Sequence, residues 1–167
     1  MNRFVSNLIL GFFVLALMAV YGFAKQPTVY SMLTKETQPE NTEEDARRVI
    51  LPNGTTITAQ VAMTGEERNQ GLAGVEQLAS DAGMLFVFDN SSTHSMWMKG
   101  MKTSIDMVWL DEGGKVVYLA TNVPVPAEGD IEFPVYQSDE PARYVLELAA
   151  GTVDAAGIAE GQEIKLS

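Results

Sequence analysis

Apolar residues in this chain recur at every second position, in short runs divided by glycine, proline and asparagine. Ile57, Ala59 and Val61 alternate with Thr56, Thr58 and Gln60, and Val116, Tyr118 and Ala120 alternate with Val117, Leu119 and Thr121. Tyr144, Leu146 and Leu148 alternate with Val145 and Glu147. A period of two belongs to strands, whose side chains point to opposite faces in turn. The breaks are turn formers. Pro52-Asn53-Gly54 separates runs at Arg48–Leu51 and Thr56–Ala62, and Asn-Gly favours a hairpin because both residues tolerate positive φ. Glu112-Gly113-Gly114 divides Ile105–Leu110 from Lys115–Thr121 in the same way. The expected fold class is α+β and β-rich. Seven or eight strands would form a compact, mainly antiparallel, barrel-like sheet with two short helices.

The helices announce themselves by caps. Thr64-Gly65-Glu66-Glu67 fits a capping box, with Thr64 as N-cap and Glu67 three residues on, opening a helix to about Asn69–Gly71. A short helical piece is also expected over Gly74–Leu78. Thr152 would cap the second of the two helices, closed at Gly157. Pro124 to Pro134 holds three prolines and the acidic residues Glu128, Asp130 and Glu132, which favours a loop over a central strand. A last strand is expected over Gln162–Leu166.

The stretch from Gly83 to Asp111 organises the rest. It contains both tryptophans, the single histidine and three strand-like runs. Gly83–Phe88 reads as a buried strand closed by the turn formers Asp89-Asn90-Ser91-Ser92. In His94–Met98, alternation puts His94, Met96 and Met98 on one face and Ser95, Trp97 and Lys99 on the other. In Ile105–Leu110, Asp106 shares a face with Val108 and Leu110. Glu147 repeats this pattern beside Val145. A carboxylate among apolar side chains needs partners, because burying it unpaired is costly. For Asp106 the preceding loop offers N–H groups and two lysines.

These residues, in this order, resemble the domain of unknown function 192 family. The matching positions are Gly71-Leu72, Gly83-Met84-Leu85-Phe86, Trp97-Met98-Lys99, Ile105-Asp106 and Tyr144-Val145-Leu146-Glu147-Leu148 with Gly151. Gly157-Ile158 and Gly161 follow, so the resemblance runs from about Ala59 to Leu166. Gly100-Met101 stands where that family shows Asn-Thr, Met96 where it shows phenylalanine, and an arginine usual near Val75 is replaced. The resemblance implies a fold and no activity.

Ahead of this domain, Arg3 is followed by a nearly unbroken apolar run from Phe4 to Ala24, with Gly22 and Ala24 placed for cleavage before Lys25. Residues 1–24 read as a signal peptide or an N-terminal membrane anchor, the run being about the 20 residues a spanning helix needs. Either reading exports the remainder to the periplasm or the outer face of the cytoplasmic membrane. Residues 25–47 read as a polar, acidic linker and 48–167 as a single domain. The chain has no cysteine, which excludes disulfides, thiolate chemistry and cysteine zinc sites. Its net charge of −11 repels phosphate backbones, so no nucleic-acid partner is expected. A single histidine excludes a multi-histidine zinc site. No phosphate-binding glycine loop or serine nucleophile elbow is present.

Three constellations remain. Trp97, Lys99, Asp106 and Glu147, with Arg68, could line a pocket, an indole supplying a flat platform and lysine a charge for an anionic group. Asp106 and Glu147 could divide acid and base roles in glycan cleavage. His94, Met96, Met98 and Met101 are soft ligands suited to Cu(I). The leading expectation is an exported or membrane-tethered, non-enzymatic module that binds a small molecule or glycan, or serves as an accessory domain, without a cofactor. A carboxylate-dependent envelope hydrolase is the alternative and a periplasmic Cu(I)-binding protein the third. Membrane contact would come through an uncleaved N-terminal segment.

Overall fold

A computed structural model describes residues 46–167. The signal peptide or anchor expected over residues 1–24, and nearly all of the linker, lie outside the described residues. Among the described residues no helix is long and apolar enough to cross a membrane.

Among the described residues nine strands form: β1 (Ala46–Ile50), β2 (Thr56–Ala62), β3 (Ala82–Ser92), β4 (Ser95–Trp97), β5 (Ile105–Leu110), β6 (Val116–Val123), β7 (Val135–Gln137), β8 (Ala142–Ala149) and β9 (Lys165–Leu166). Two short helices accompany them, α1 (Gly65–Gln70) and α2 (Thr152–Ala156). Seven strands make one sheet in the order β6-β5-β8-β3-β2-β1-β9, while β4 and β7 pair separately. Every pairing is antiparallel except β2 with β3, whose connection carries α1.

The sheet curls into a half-barrel. Val49 of β1 and Val116 of β6 stand far apart in strand order yet belong to one buried cluster. The C-terminal segment bonds to both flanks: Lys165 and Leu166 pair with β1, while Ile164 donates its N–H to the Gly114 carbonyl at 2.9 Å. Gly114 (φ 83°) is required twice here, for its left-handed turn and because a Cβ would lie 2.5 Å from the Ile164 carbonyl oxygen.

Alternation along the central strands divides the core between two faces. Val108, Leu110, Leu146 and Leu148 pack on one face with Val153, Ala156 and Ile158 around α2. Met107, Trp109 and Val145 pack on the other with Phe86, Leu72, Met96, Met98 and Met101. All six residues of β5 are buried, so neither face of this strand meets water. Each such apolar side chain contributes about 1.5–3 kcal/mol through burial.

The departures from sequence expectation are local. The hairpin at Pro52-Asn53-Gly54 forms, but only Gly54 takes positive φ (85°), and Asn53 instead accepts the Thr55 N–H through its side chain at 2.9 Å. Asp89–Ser92 extends β3 past an irregularity rather than closing it. Residues 71–78 form turns and no helix, held by the Gly74 N–H on the Gly100 carbonyl. β7 falls just beyond the proline-rich loop. It forms because Val135–Gln137 finds a partner in β4, with Trp97 opposite Val135.

Candidate functional site

Where α1 ends, its last turn and the following loop lean over β3 and β4 and leave a cleft of about 300 Å³. Its lining includes Arg68, Trp97, Lys99 and Glu147, with Phe86, Phe88, Met96 and Met101 as apolar wall. Four of the five residues expected to bind a ligand therefore meet in one place. Asp106 does not line it.

The capping box fixes α1 as expected. Thr64 accepts the Glu67 N–H, and Glu67 accepts the N–H groups of Thr64 and Met63 at 2.8 and 2.7 Å. Those two backbone bonds hold the Glu67 carboxyl below its ordinary range. The next residue, Arg68, donates through Nη1 to the Met63 carbonyl and, at 2.9 Å, to the Val87 carbonyl, tying α1 to β3. Its guanidinium also lies 5.2 Å from the Phe88 ring centroid. Arg68 thus positions the cleft wall as well as lining it.

Trp97 is 47% exposed although its neighbours Met96 and Met98 are buried, as the alternation of β4 requires. The other tryptophan, Trp109, is fully buried and donates its indole N–H to the His94 carbonyl at 2.9 Å. One indole is committed to the core and the other is presented at the cleft.

Glu147 comes up from β8 on the same sheet face as Met107 and Met84, its neighbours in register on β5 and β3. It is 3% exposed. Its Oε2 is buried and has no hydrogen-bond partner among the described residues. Burial pushes its carboxyl up to about 8, so at neutral pH it is a neutral acid, able to donate as well as accept. The backbone beneath is tight. A Cβ at Gly83 would lie 2.7 Å from the Glu147 carbonyl oxygen, which explains the glycine opening Gly83-Met84-Leu85-Phe86.

Asp106 behaves differently. In register it lies opposite Leu148, while Glu147 lies opposite Met107, so the two carboxylates point to opposite faces of the sheet. Asp106 accepts the Asn122 N–H at 2.7 Å and the Val153 N–H at 2.8 Å. The first bond holds a bulge in β6 where Asn122 takes positive φ (51°). The second caps α2. The expected cap, Thr152, is instead the first helical residue, and the N-cap Gly151 makes no side-chain cap bond. Asp106 has partners as its burial demands, but they come from β6 and α2 rather than from the preceding loop. A shared acid–base pair of Asp106 and Glu147 is not what this register builds.

The soft-ligand set is also divided. Met96, Met98 and Met101 are buried in the core cluster on the cleft side, with Met96 and Met101 reaching its wall. His94 lies flat on Phe88, ring centroids 3.6 Å apart, with Nε2 3.2 Å from the Asn90 carbonyl oxygen. Among the described residues no group of three or more histidine, cysteine, aspartate or glutamate side chains stands together. Sequence reasoning treats Phe86 and Phe88 only as strand residues. Their spacing by two, on the strand face of the cleft, was the available signal.

Fold and cleft together define a small β-rich domain with a ligand-sized cavity at one side of its sheet. The chain belongs to the domain of unknown function 192 family, described as "Uncharacterized ACR", whose model matches residues 48–166. Two crystal structures resemble it. One is from Sinorhizobium meliloti 1021 and is described as a proposed transcription regulator; it is 33% identical, with a TM-score of 0.63, over 72% of this chain and 92% of that one. The other, a protein of unknown function from Novosphingobium aromaticivorans DSM 12444, is 21% identical with a TM-score of 0.64, over 72% of this chain and 83% of that one. No curated protein matches.

Proposed function

We propose that this chain is a non-enzymatic binding module of the cell envelope, exported or membrane-tethered, whose ligand site is the cleft of Arg68, Trp97, Lys99 and Glu147. One observation carries the reading. A glutamate is buried at the cleft with a carboxyl oxygen that has no partner among the described residues. Leaving such a group unsatisfied costs about 1–3 kcal/mol, and a ligand toward which the carboxyl turns that enclosed oxygen offsets the cost on binding. The half-exposed Trp97 adds a flat apolar surface beside it. A cavity of about 300 Å³ is at the small end of the range that holds organic ligands.

Export rests on the charged start at Arg3 and the apolar run to Ala24. The regulator description of one relative is not carried over, because a chain of net charge −11 repels a phosphate backbone.

The test is a thermal-shift and calorimetric screen of the full chain against small organic anions, neutral analogues and glycans. A ligand at 100 times its dissociation constant stabilises by about 2.7 kcal/mol. The expected result is a hit that is lost in Trp97→Ala while that variant stays folded. A hit unaffected by Trp97→Ala and by Lys99→Glu would place binding elsewhere and end this reading.

A further inference from the structure

Resting on that site, we infer that the cleft takes a small organic monocarboxylate with an apolar body, and that the ligand's carboxylate hydrogen-bonds to the Glu147 carboxyl.

The first ground is the sign of the charge. The chain carries 11 basic and 22 acidic residues, yet the charged residues lining the cleft are Arg68, Lys99 and Glu147. Two cations stand against a single acid that is 3% exposed, so the accessible charge of the lining is positive. A positive recess on an acidic surface concentrates small anions and repels amines.

The second ground is the buried acid. Glu147 Oε2 has no partner among the described residues, and its neighbours in register are Met84 and Met107, whose side chains offer thioethers only. A neutral carboxylic acid in that setting is a donor in search of an acceptor, and a carboxylate is the strongest acceptor a small metabolite brings. A ligand ammonium group would need Glu147 ionised, against both its burial and the two cations.

The third is the wall. Phe86, Phe88, Met96, Met101 and Trp97 give the cleft an aromatic and thioether wall, while Asn69, Gln70 and Ser95 also line it. The wall offers an apolar body its contact, and the polar groups lie beside it. A cavity of about 300 Å³ limits the body to roughly one ring or a short branched chain.

Binding then follows the protonation of Glu147. With the donor proton present, affinity is flat through neutral pH. Above about 8 the free carboxyl ionises and affinity falls, by about tenfold for each pH unit. Gln is isosteric and keeps a donor, so Glu147→Gln retains binding and abolishes the fall.

Calorimetry on the full chain decides it, using benzoate, phenylacetate and hexanoate, with benzamide, benzylamine and a disaccharide as controls, from pH 6 to 10. The expected result is carboxylate binding weakened about tenfold or more by Lys99→Glu, declining above pH 8 in the parent and level in Glu147→Gln. Binding of the disaccharide or benzylamine in a Trp97-dependent manner, with no carboxylate binding, would overturn the ligand class while leaving the site in place. Carboxylate binding with the same pH profile in the parent and Glu147→Gln would remove Glu147 from recognition and overturn the inference. Binding of nothing in the panel or the wider screen would remove the site as well.

Discussion

Asp106 and Glu147 lie on neighbouring strands, within one register step of each other, both buried, and the fold treats them in opposite ways. Asp106 faces the α2 side, and each of its oxygens accepts a backbone N–H. Glu147 lines the cleft and keeps an oxygen without a partner among the described residues. A buried carboxylate with charge-assisted partners fastens structure. One without them is retained at a cost that the fold itself does not offset, and that cost is the ground for the proposed ligand site. The contrast separates a fastened acid from an unfastened one without reference to any relative.

The largest expected effect tests the Asp106 side. Asp106→Ala orphans the N–H groups of Asn122 and Val153, releasing the β6 bulge and the cap of α2 together. Two hydrogen bonds to a charged group make this a loss of about 3–5 kcal/mol, read by urea denaturation of the full chain. A loss under about 1 kcal/mol would mean that water or rearranged backbone replaces the carboxylate, and the contrast would fail on this side.

The next effect is the pH dependence set by Glu147. Its carboxyl is raised from 4.5 to about 8 in the fold, so the native state holds a proton that the unfolded chain gives up. Stability is therefore fully present below about pH 4.5, declines as pH rises, and levels off above about 8. The slope has a ceiling of about 1.4 kcal/mol per pH unit. Subtracting the profile of Glu147→Gln isolates this contribution. Parallel profiles between pH 5 and 8 would show that Glu147 is ionised, or solvated, in the native state.

A third effect has the opposite sign. Glu147→Met extends the surface of Met84 and Met107 and removes the unsatisfied oxygen, so at pH 6 it stabilises by about 1–3 kcal/mol. The same change abolishes binding of any ligand that needs the carboxyl. A gain in stability with a loss of binding is the signature of a residue kept for recognition. Destabilisation by Glu147→Met would instead place Glu147 with Asp106 as a fastening group.

How much of this was legible follows from sequence separation. Strand faces were readable, because alternation is local: Tyr144, Leu146 and Leu148 against Val145 and Glu147 is the division the sheet adopts. The pairing of Asp106 and Glu147 was not, since each face was known within its strand but not relative to the other strand. A single step of register decides it. The cleft was partly legible. Trp97 and Lys99 are two residues apart at the end of β4 and in the turn after it, but Arg68 joins them only through the crossover between β2 and β3 and its hold on Val87. β7 was missed because three residues carry almost no periodicity, and their strand exists only by pairing with β4.

Helix capping shows the same division at the smallest energy. Thr64 caps α1 from within its own sequence, and its hydroxyl accepts the Glu67 N–H. Thr152 holds the corresponding place by composition alone, but Asp106 has taken the Val153 N–H from the far strand. Thr64→Ala therefore costs about 1 kcal/mol, whereas Thr152→Ala stays within about 0.5 kcal/mol, as surface changes away from such bonds do. Urea midpoints of the two variants compare them directly. Equal losses would mean that Thr152 does cap α2 in solution and that Asp106 is less committed than its two bonds imply. The smaller loss at Thr152, beside the large one at Asp106, would mean that α2 is held by tertiary structure and stands or falls with the buried acid on β5.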